Sequence, residues 1–404
     1  MTAVRTVLVS GASIAGPTLA HWLHRHGIRA TVVERAPGPR PGGYAIDLRG
    51  KALDVVERMG HLTEVRDHVT EMRSGTMVDG RGRRRAGFDT GVLSAEERSV
   101  ELLRGDLVRI LHGPTTEYTE YLYDDSVTGI EQDSDGVHVT FEKAEPRTFD
   151  LVVGADGLHS NTRGLAFGPE EPMARFLGAY ISIFTVPDHL GLDREARLYN
   201  TPGKLVGMYR TPRAEGAKAI FVLQTDGGSG AERRSPAEQQ RYLREAFTGN
   251  GWESDRLLQA MEDTEDFYFD SITQIRTDRW SNGRVALLGD AGYCPSPLSG
   301  QGSSLAVVGA YVLAEELARH TEVAGALDSY ETRLRPYVLA NQDIAGSGMG
   351  FLAPRTRFGI AARDLLVRLS PLIRSLGTFT GKLERAAEAV DLDTPAPGAR
   401  SRHA

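Results

Sequence analysis

Thr6-Val-Leu-Val-Ser-Gly11-Ala-Ser13-Ile-Ala-Gly16-Pro17 is the stretch on which the reading of this chain turns. Thr6 to Val9 is a β-branched, apolar run that predicts a buried strand, and the apolar spacing Leu19, Trp22, Leu23 predicts a helix ending near Gly27. Gly11-x-Ser13-x-x-Gly16 occupies the turn between them. The first glycine permits the tight turn, the last lets helix and strand pack closely, and the open helix N-terminus offers N–H groups to a pyrophosphate. Ser13 stands where a middle glycine is usual, and a side chain that small still lets backbone approach a phosphate. Pro17 falls in the first helical turn, where a missing N–H costs nothing. Ala30 to Glu34 then predicts a second strand ending in an acid, placed as one βαβ unit would place the group that binds ribose hydroxyls.

Two later segments repeat the device of an acid beside glycine after an apolar strand. Leu151 to Val153 runs into Gly154-Ala-Asp156-Gly157, and Arg284 to Leu288 runs into Gly289-Asp290. Such acids face the crevice in which α/β sheets bind ligands. After Asp290 come Pro295, Pro297 and Gly300-Gln-Gly302, which opens a helix from Ser303 to about His320; backbone N–H groups at Gly302 and Ser303 are therefore aimed at developing negative charge. Between the second and third segments, Tyr180 to Val186, Leu205 to Tyr209 and Ala219 to Leu223 predict strands of a separate sheet. Tyr118 to Val153 alternates like a meander, and helices are expected over Gly50 to Met59, Arg104 to Leu111 and residues 236 to 262. Arg335 to Val390 reads as helical pieces broken near Gly346 to Gly350 and at Pro354, followed by a Pro, Gly and Ala-rich tail expected to be disordered.

Composition closes off other classes. The 404 residues suggest two or three domains, and 40% hydrophobic with 25% charged residues is ordinary for a globular chain. A net charge of −7 argues against nucleic acid as a partner. The basic run Arg81 to Arg85 lacks interleaved aromatics and reads as a solvated turn. No segment reaches the roughly 18 apolar residues of a membrane span, so no stable membrane insertion is expected. Cys294 is the single cysteine, which excludes an internal disulfide and fits a reducing, cytoplasmic setting. The eleven histidines show no metal-ligand spacing, His21, His24 and His26 included, so no metal is expected. The 45 glycines are about 11% of the chain against an average near 7%, and they gather at the strand-end turns just described.

Taken together, the three ordered motifs resemble those of the class A FAD-dependent aromatic hydroxylases, the p-hydroxybenzoate hydroxylase family, which includes tetracycline-inactivating monooxygenases. The resemblance covers residues 1 to about 335. It implies an α/β fold: a Rossmann-like FAD-binding domain of GR2 type, assembled from 1–70, 96–168 and 276–335, and a mixed β-sheet substrate domain inserted as 71–95 and 169–275. C-terminal helices over 336–390 and the tail 391–404 complete the division. The implied cofactor is non-covalent FAD, with its pyrophosphate at Gly11, Ser13, Ile14, Ala15 and Gly16 and its adenosine ribose on Glu34, beside Arg35. Arg104, in the pattern Arg-x-x-Leu, falls on the phosphate or ribityl side; Asp156 and Gly157 match the Asp-Gly motif, and Asp290 falls on the ribityl chain. Arg40 and Asp47 belong to the segment beside the flavin ring, and Pro297, Gly300, Gly302 and Ser303 to the loop that follows Asp290.

The implied chemistry is a single-component monooxygenase. NADPH or NADH reduces FAD, dioxygen adds to form a C4a-hydroperoxide, and one oxygen passes to an aromatic or polyketide-like small molecule, as in secondary metabolism. Tyr180, Met208, Tyr209 and Gln224 are the residues of the inserted sheet that would face such a ring; no proton-transfer residue is identified. A monomer or homodimer is equally compatible. A flavin-dependent reductase of a polyprenyl chain, or a non-enzymatic dinucleotide-binding sensor, are the alternatives; a halogenase is not, since Trp22, Trp252 and Trp280 are isolated. Three positions depart from the family pattern: Tyr293 replaces a His, Ser304 an Asn, and Gly309 an Asp.

Overall fold

A computed structural model of the chain describes residues 4–39, 43–89, 98–212, 214, 216–345, 348–373 and 380–393. At its centre is a six-stranded sheet in the order Ser281–Asn282, Val285–Leu287, Leu151–Gly154, Thr6–Ser10, Arg29–Glu34, Glu120–Tyr123. Every pair is parallel except the outermost, Ser281–Asn282 with Val285–Leu287. A parallel sheet buried on both faces needs apolar residues at consecutive positions, and Val7, Leu8 and Val9 supply them. Val7 and Val9 point to the core shared with the helices Ala15–Arg25, Gly302–Arg319 and Val323–Ile344, and Leu8 points to the opposite core. The latter is capped by a three-stranded antiparallel sheet, Val127–Gln132, Val137–Phe141 and Arg147–Phe149. The run expected to be one meander is therefore divided, because Glu120–Tyr123 leaves it to pair in parallel with Arg29–Glu34.

A seven-stranded sheet has the order Tyr268–Ile275, Ala174–Val186, Ala217–Gln224, Lys204–Tyr209, Glu195–Thr201, Ser74–Val78, Arg84–Asp89. One face buries Tyr180, Phe184, Met208, Phe221 and Phe269 beneath the helices Pro236–Phe247 and Ser254–Ala260. The other face carries Ala179, Ile181, Ile183, Leu205, Val222 and Ile272, against which Tyr44, Leu298 and Met349 pack. A two-stranded pair, Ala45–Arg49 with Ser99–Leu103, touches this sheet through Tyr209 and the helix Gly302–Arg319 through Ser304.

The chain's C-terminal part is helical as expected, over Val323–Ile344, Gly348–Leu352, Arg357–Ile373 and Thr380–Ala387. The start of the expected disordered tail is corrected: Leu392 is 2% exposed, its carbonyl accepts from Arg333, and Asp393 pairs with Arg58. Residues 394–404 lie outside the described residues. No helix among the described residues is long and apolar enough to cross a membrane.

Candidate functional site

Parallel pairing sets the three motifs side by side, since Ser10 lies beside Gly154 and Gly154 beside Leu287. The Gly11 amide donates to the Val33 carbonyl at 2.7 Å, at φ +111°, and a Cβ there would stand 2.5 Å from the Ala155 carbonyl oxygen. A Cβ on Gly16 would lie 1.9 Å from the Gly11 carbonyl oxygen. Helix and turn thus approach so closely that only glycine fits, leaving the first amides of Ala15–Arg25 open outward. Ile14 and Ala15 are buried at that helix start.

Glu34 closes the turn from the second strand, its two oxygens accepting from the amides of Ala12 and Ala36 at 2.9 Å each. Arg35 is exposed beside it. From the helix Arg104–His112, Arg104 donates to Ser13 Oγ at 2.6 Å, joining the middle position of the turn to a cation. Its own amide donates to the Tyr44 carbonyl. Arg40 lies outside the described residues.

Asp156 faces inward rather than across the crevice. It accepts from the Thr162 amide and hydroxyl at 2.9 Å each and from the Ser160 and Ser10 hydroxyls, tying the Asp-Gly turn to the helix Asn161–Phe167. The residue that links this turn to the third motif is Arg163, for which the sequence carried no signal. It has no exposure, and it donates to the carbonyls of Leu158 (2.7 Å) and Ala291 (2.8 Å) and to Glu170 (2.5 Å). Next to it, His159 bridges Glu170 and Asp270 at 3.0 Å each, and Arg233 also reaches Glu170.

Hydrogen bonds to Asp270 and Glu170 push His159 up to about 10, against desolvation. A raised folded-state value means the bridge contributes fully below about pH 6.5 and fades as pH rises towards 10. His159 is more than a third exposed, so the effect is small. The melting temperature of the parent is expected to fall more steeply than that of His159→Gln over this window, with the two curves converging above pH 10.

Asp290 opens the short helix Asp290–Tyr293 after Gly289. Burial pushes its carboxyl above the ordinary range; Cys294 and Arg104 oppose this and Asp270 adds to it. Gly302 stands with its missing Cβ 3.6 Å from Asp290 Oδ1, and Gly300 with its own 3.3 Å from Asp47 Oδ2. Asp47 also pairs with Arg49 at 3.0 Å. Gln301, between the two glycines, is fully buried, and both atoms of its amide lack a partner among the described residues. Ser303 is half-buried in the first helical turn, and Pro297 is exposed. Cys294 is buried and its thiol pushed well up by desolvation.

The departures Tyr293 and Gly309 prove to be one feature. A Cβ on residue 309 would lie 2.1 Å from the Tyr293 hydroxyl, which shares a 3.0 Å hydrogen bond with Tyr330. Tyr293 thus turns away from the crevice into the helix packing, filling space that only a glycine opposite leaves. Ser304 likewise is structural, its hydroxyl accepting from the Arg49 amide at 3.1 Å. Gly309→Ala is expected to cost about 1–3 kcal/mol through overpacking. Tyr293→Phe in the same chain should recover much of that loss, so denaturant melts of the double-mutant cycle should show coupling well above 0.5 kcal/mol.

Two expectations for the inserted sheet are corrected. Tyr180, 1% exposed, and Met208, 0% exposed, belong to the face under the helices, with the Tyr180 hydroxyl accepting from the Ser229 amide. Strand alternation sends their neighbours to the crevice instead. Tyr209 accepts from the Ala45 amide at 3.4 Å, and Gln224 donates to the Ala353 carbonyl at 2.6 Å. Tyr44 and Tyr268, whose rings lie 5.5 Å apart, are the aromatic pair the sequence analysis missed; they are far apart in the chain and only the fold brings them together.

Residues 5–345 match the family model described as FAD binding domain. A flavin-dependent monooxygenase from an unknown prokaryotic organism is 44% identical over 345 residues, covering 85% of this chain and 89% of that protein. An uncharacterized protein of Mycobacterium tuberculosis is 45% identical over 356 residues, covering 87% and 95%. The crystal structure of the tetracycline destructase Tet(55) superposes with a TM-score of 0.84 at 39% identity, covering 98% of this chain and all of that one. The sensor alternative therefore falls. The chain belongs to the FAD-binding-domain family and is an FAD-dependent monooxygenase of the aromatic hydroxylase type.

Proposed function

We propose that the protein is a single-component monooxygenase that consumes NADPH or NADH and hydroxylates an aromatic or polyketide-like small molecule. The observation that carries this reading is the convergence of three strand-end turns with one apolar sheet face, where Tyr44 and Tyr268 lie within electrostatic reach of Asp290. The residues fit FAD. A turn that a Cβ at Gly11 or Gly16 would close, and the buried, unpartnered amide of Gln301, are features a flavin dinucleotide would occupy or satisfy.

In this reading the open amides of Ser13 to Gly16 hold the pyrophosphate, and Arg104 adds a cation beside them. Glu34 takes the adenosine ribose, and Asp290 the ribityl hydroxyls. Asp156 acts by fixing its turn. When bound, FAD accepts hydride from the nicotinamide and delivers one atom of dioxygen to the substrate. The amides of Gly302 and Ser303, at the start of their helix, would donate to negative charge developing on a bound flavin, and Tyr44 and Tyr268 would help exclude water from the site. Tet(55) is named for tetracycline inactivation, which supports a polycyclic substrate here.

The test is NADPH and NADH oxidation by the FAD-loaded enzyme across phenolic and polycyclic compounds, with product masses. Substrate-dependent oxygen uptake and a gain of one oxygen atom are expected. A product that has gained hydrogen, without oxygen uptake, would support the reductase reading instead.

A further inference from the structure

Cross-strand register orders the crevice face of the seven-stranded sheet into rows. One row is Tyr268, Ile183, Ile220, Gly207 and Leu198, and the row beside it is Asp270, Ile181, Val222 and Leu205. A Cβ on Gly207 would strike Leu198 at 2.6 Å and Ile220 at 2.7 Å, so the middle of this floor is flat as well as apolar. The row on the opposite flank is polar: Thr185 opposes Lys218 and Lys218 opposes Tyr209, with Asp266 bonded to both Thr185 and Lys218.

Donors are in surplus there. Lys218 is buried, with 2.8 Å and 2.5 Å bonds to Thr185 Oγ1 and Asp266, which leaves its third N–H without an acceptor among the described residues. The Tyr209 oxygen accepts from the Ala45 amide, and among the described residues its own proton meets no acceptor. Burial, then the negative potential of Glu101, Tyr44 and Asp266, pushes the Tyr209 phenol up, so it stays an O–H donor. Asp266 and Glu101 in the same corner disfavour a fully anionic ligand group. A buried ammonium and a half-buried phenol beside a flat apolar floor suit a neutral oxygen on the rim of a fused ring.

We propose that Tyr209 and Lys218 form a specificity site that donates hydrogen bonds to a carbonyl or hydroxyl oxygen on the edge of a flat, otherwise apolar polycyclic substrate. The site deepens, and rests on, the monooxygenase reading above. It orients the ring over the Gly207 floor so that one edge faces Tyr268 and the flavin side of the crevice. This is a positioning role, with no proton transferred.

The test is binding to oxidised, FAD-loaded enzyme without NAD(P)H, followed by fluorescence quenching. The probes are 1,8-dihydroxyanthraquinone and tetracycline, with phenanthrene as a fused-ring hydrocarbon. The parent should bind at least one oxygenated probe about tenfold more tightly than phenanthrene, and Tyr209→Phe should erase most of that preference while leaving phenanthrene unchanged. Lys218→Met is the second reading should Tyr209→Phe fail to hold FAD, and the same loss is expected. Equal weakening of all probes, no preference in the parent, or an unaltered preference in the variants would overturn the proposal. Because no turnover is needed, discrimination without an oxygenated product would contradict the monooxygenase reading while leaving the site intact.

Discussion

Gly16→Ala is expected to yield protein that purifies without bound FAD. The added Cβ would lie 1.9 Å from the Gly11 carbonyl oxygen, and the atom it meets is backbone, held in turn by the Gly11 amide on Val33. No side chain can swing aside, so the turn or the helix start must move and the open amides lose their common aim. A cost above the 1–3 kcal/mol of ordinary overpacking falls directly on the cofactor site, and a loss of at least about 100-fold in FAD affinity is expected. Gly157→Ala is the control. Gly157 also has positive φ, +85°, but nothing lies within 4 Å of the position its Cβ would take. Its cost is only the left-handed backbone, about 1–2 kcal/mol, and the variant should purify yellow. Flavin absorbance per chain, with melting temperature as the check on folding, separates the two.

Arg163→Met is the second large effect. The guanidinium is fully buried and serves two carbonyls on different motif loops as well as Glu170. Removing it strands the Ala291 and Leu158 carbonyls and takes the buried cation from Glu170, a change of the kind that costs about 3–5 kcal/mol. At roughly 2–4 °C per kcal/mol the melting temperature should drop by about 6–20 °C. FAD affinity should fall with it, since Ala291 directly follows Asp290. Arg163→Lys should recover little, because one ammonium cannot fork to acceptors on three sides. Full stability in either variant would show that the link between the second and third motifs is dispensable.

These two residues mark how far the amino-acid sequence could be read. Gly11 and Gly16 were legible because strand, turn and helix follow one another locally, and close approach is the reason glycine stands there. Asp156 and Asp290 were legible as strand-end acids, although Asp156 proves to be spent on Ser160 and Thr162. Arg163 was not, since its acceptors include a carbonyl 128 positions away. Tyr293 and Gly309 looked like two separate departures until their contact made them one. The side of the inserted sheet was illegible for a different reason. Ala179 to Phe184 is covered on both faces, so its residues are apolar at almost every position and the period that would reveal a buried side is lost. Tyr180 and Met208 were placed on the crevice by type alone; alternation from Tyr209 and Ile181 reverses them.

The account stands most directly on the source of the oxygen. With FAD-loaded enzyme, NAD(P)H, isotopically heavy dioxygen and a polycyclic phenol that stimulates oxygen uptake, mass spectrometry of the product should find one heavy oxygen atom per molecule. Product oxygen drawn from water, or reductant consumed with the compound returned unchanged across the whole panel, would contradict it.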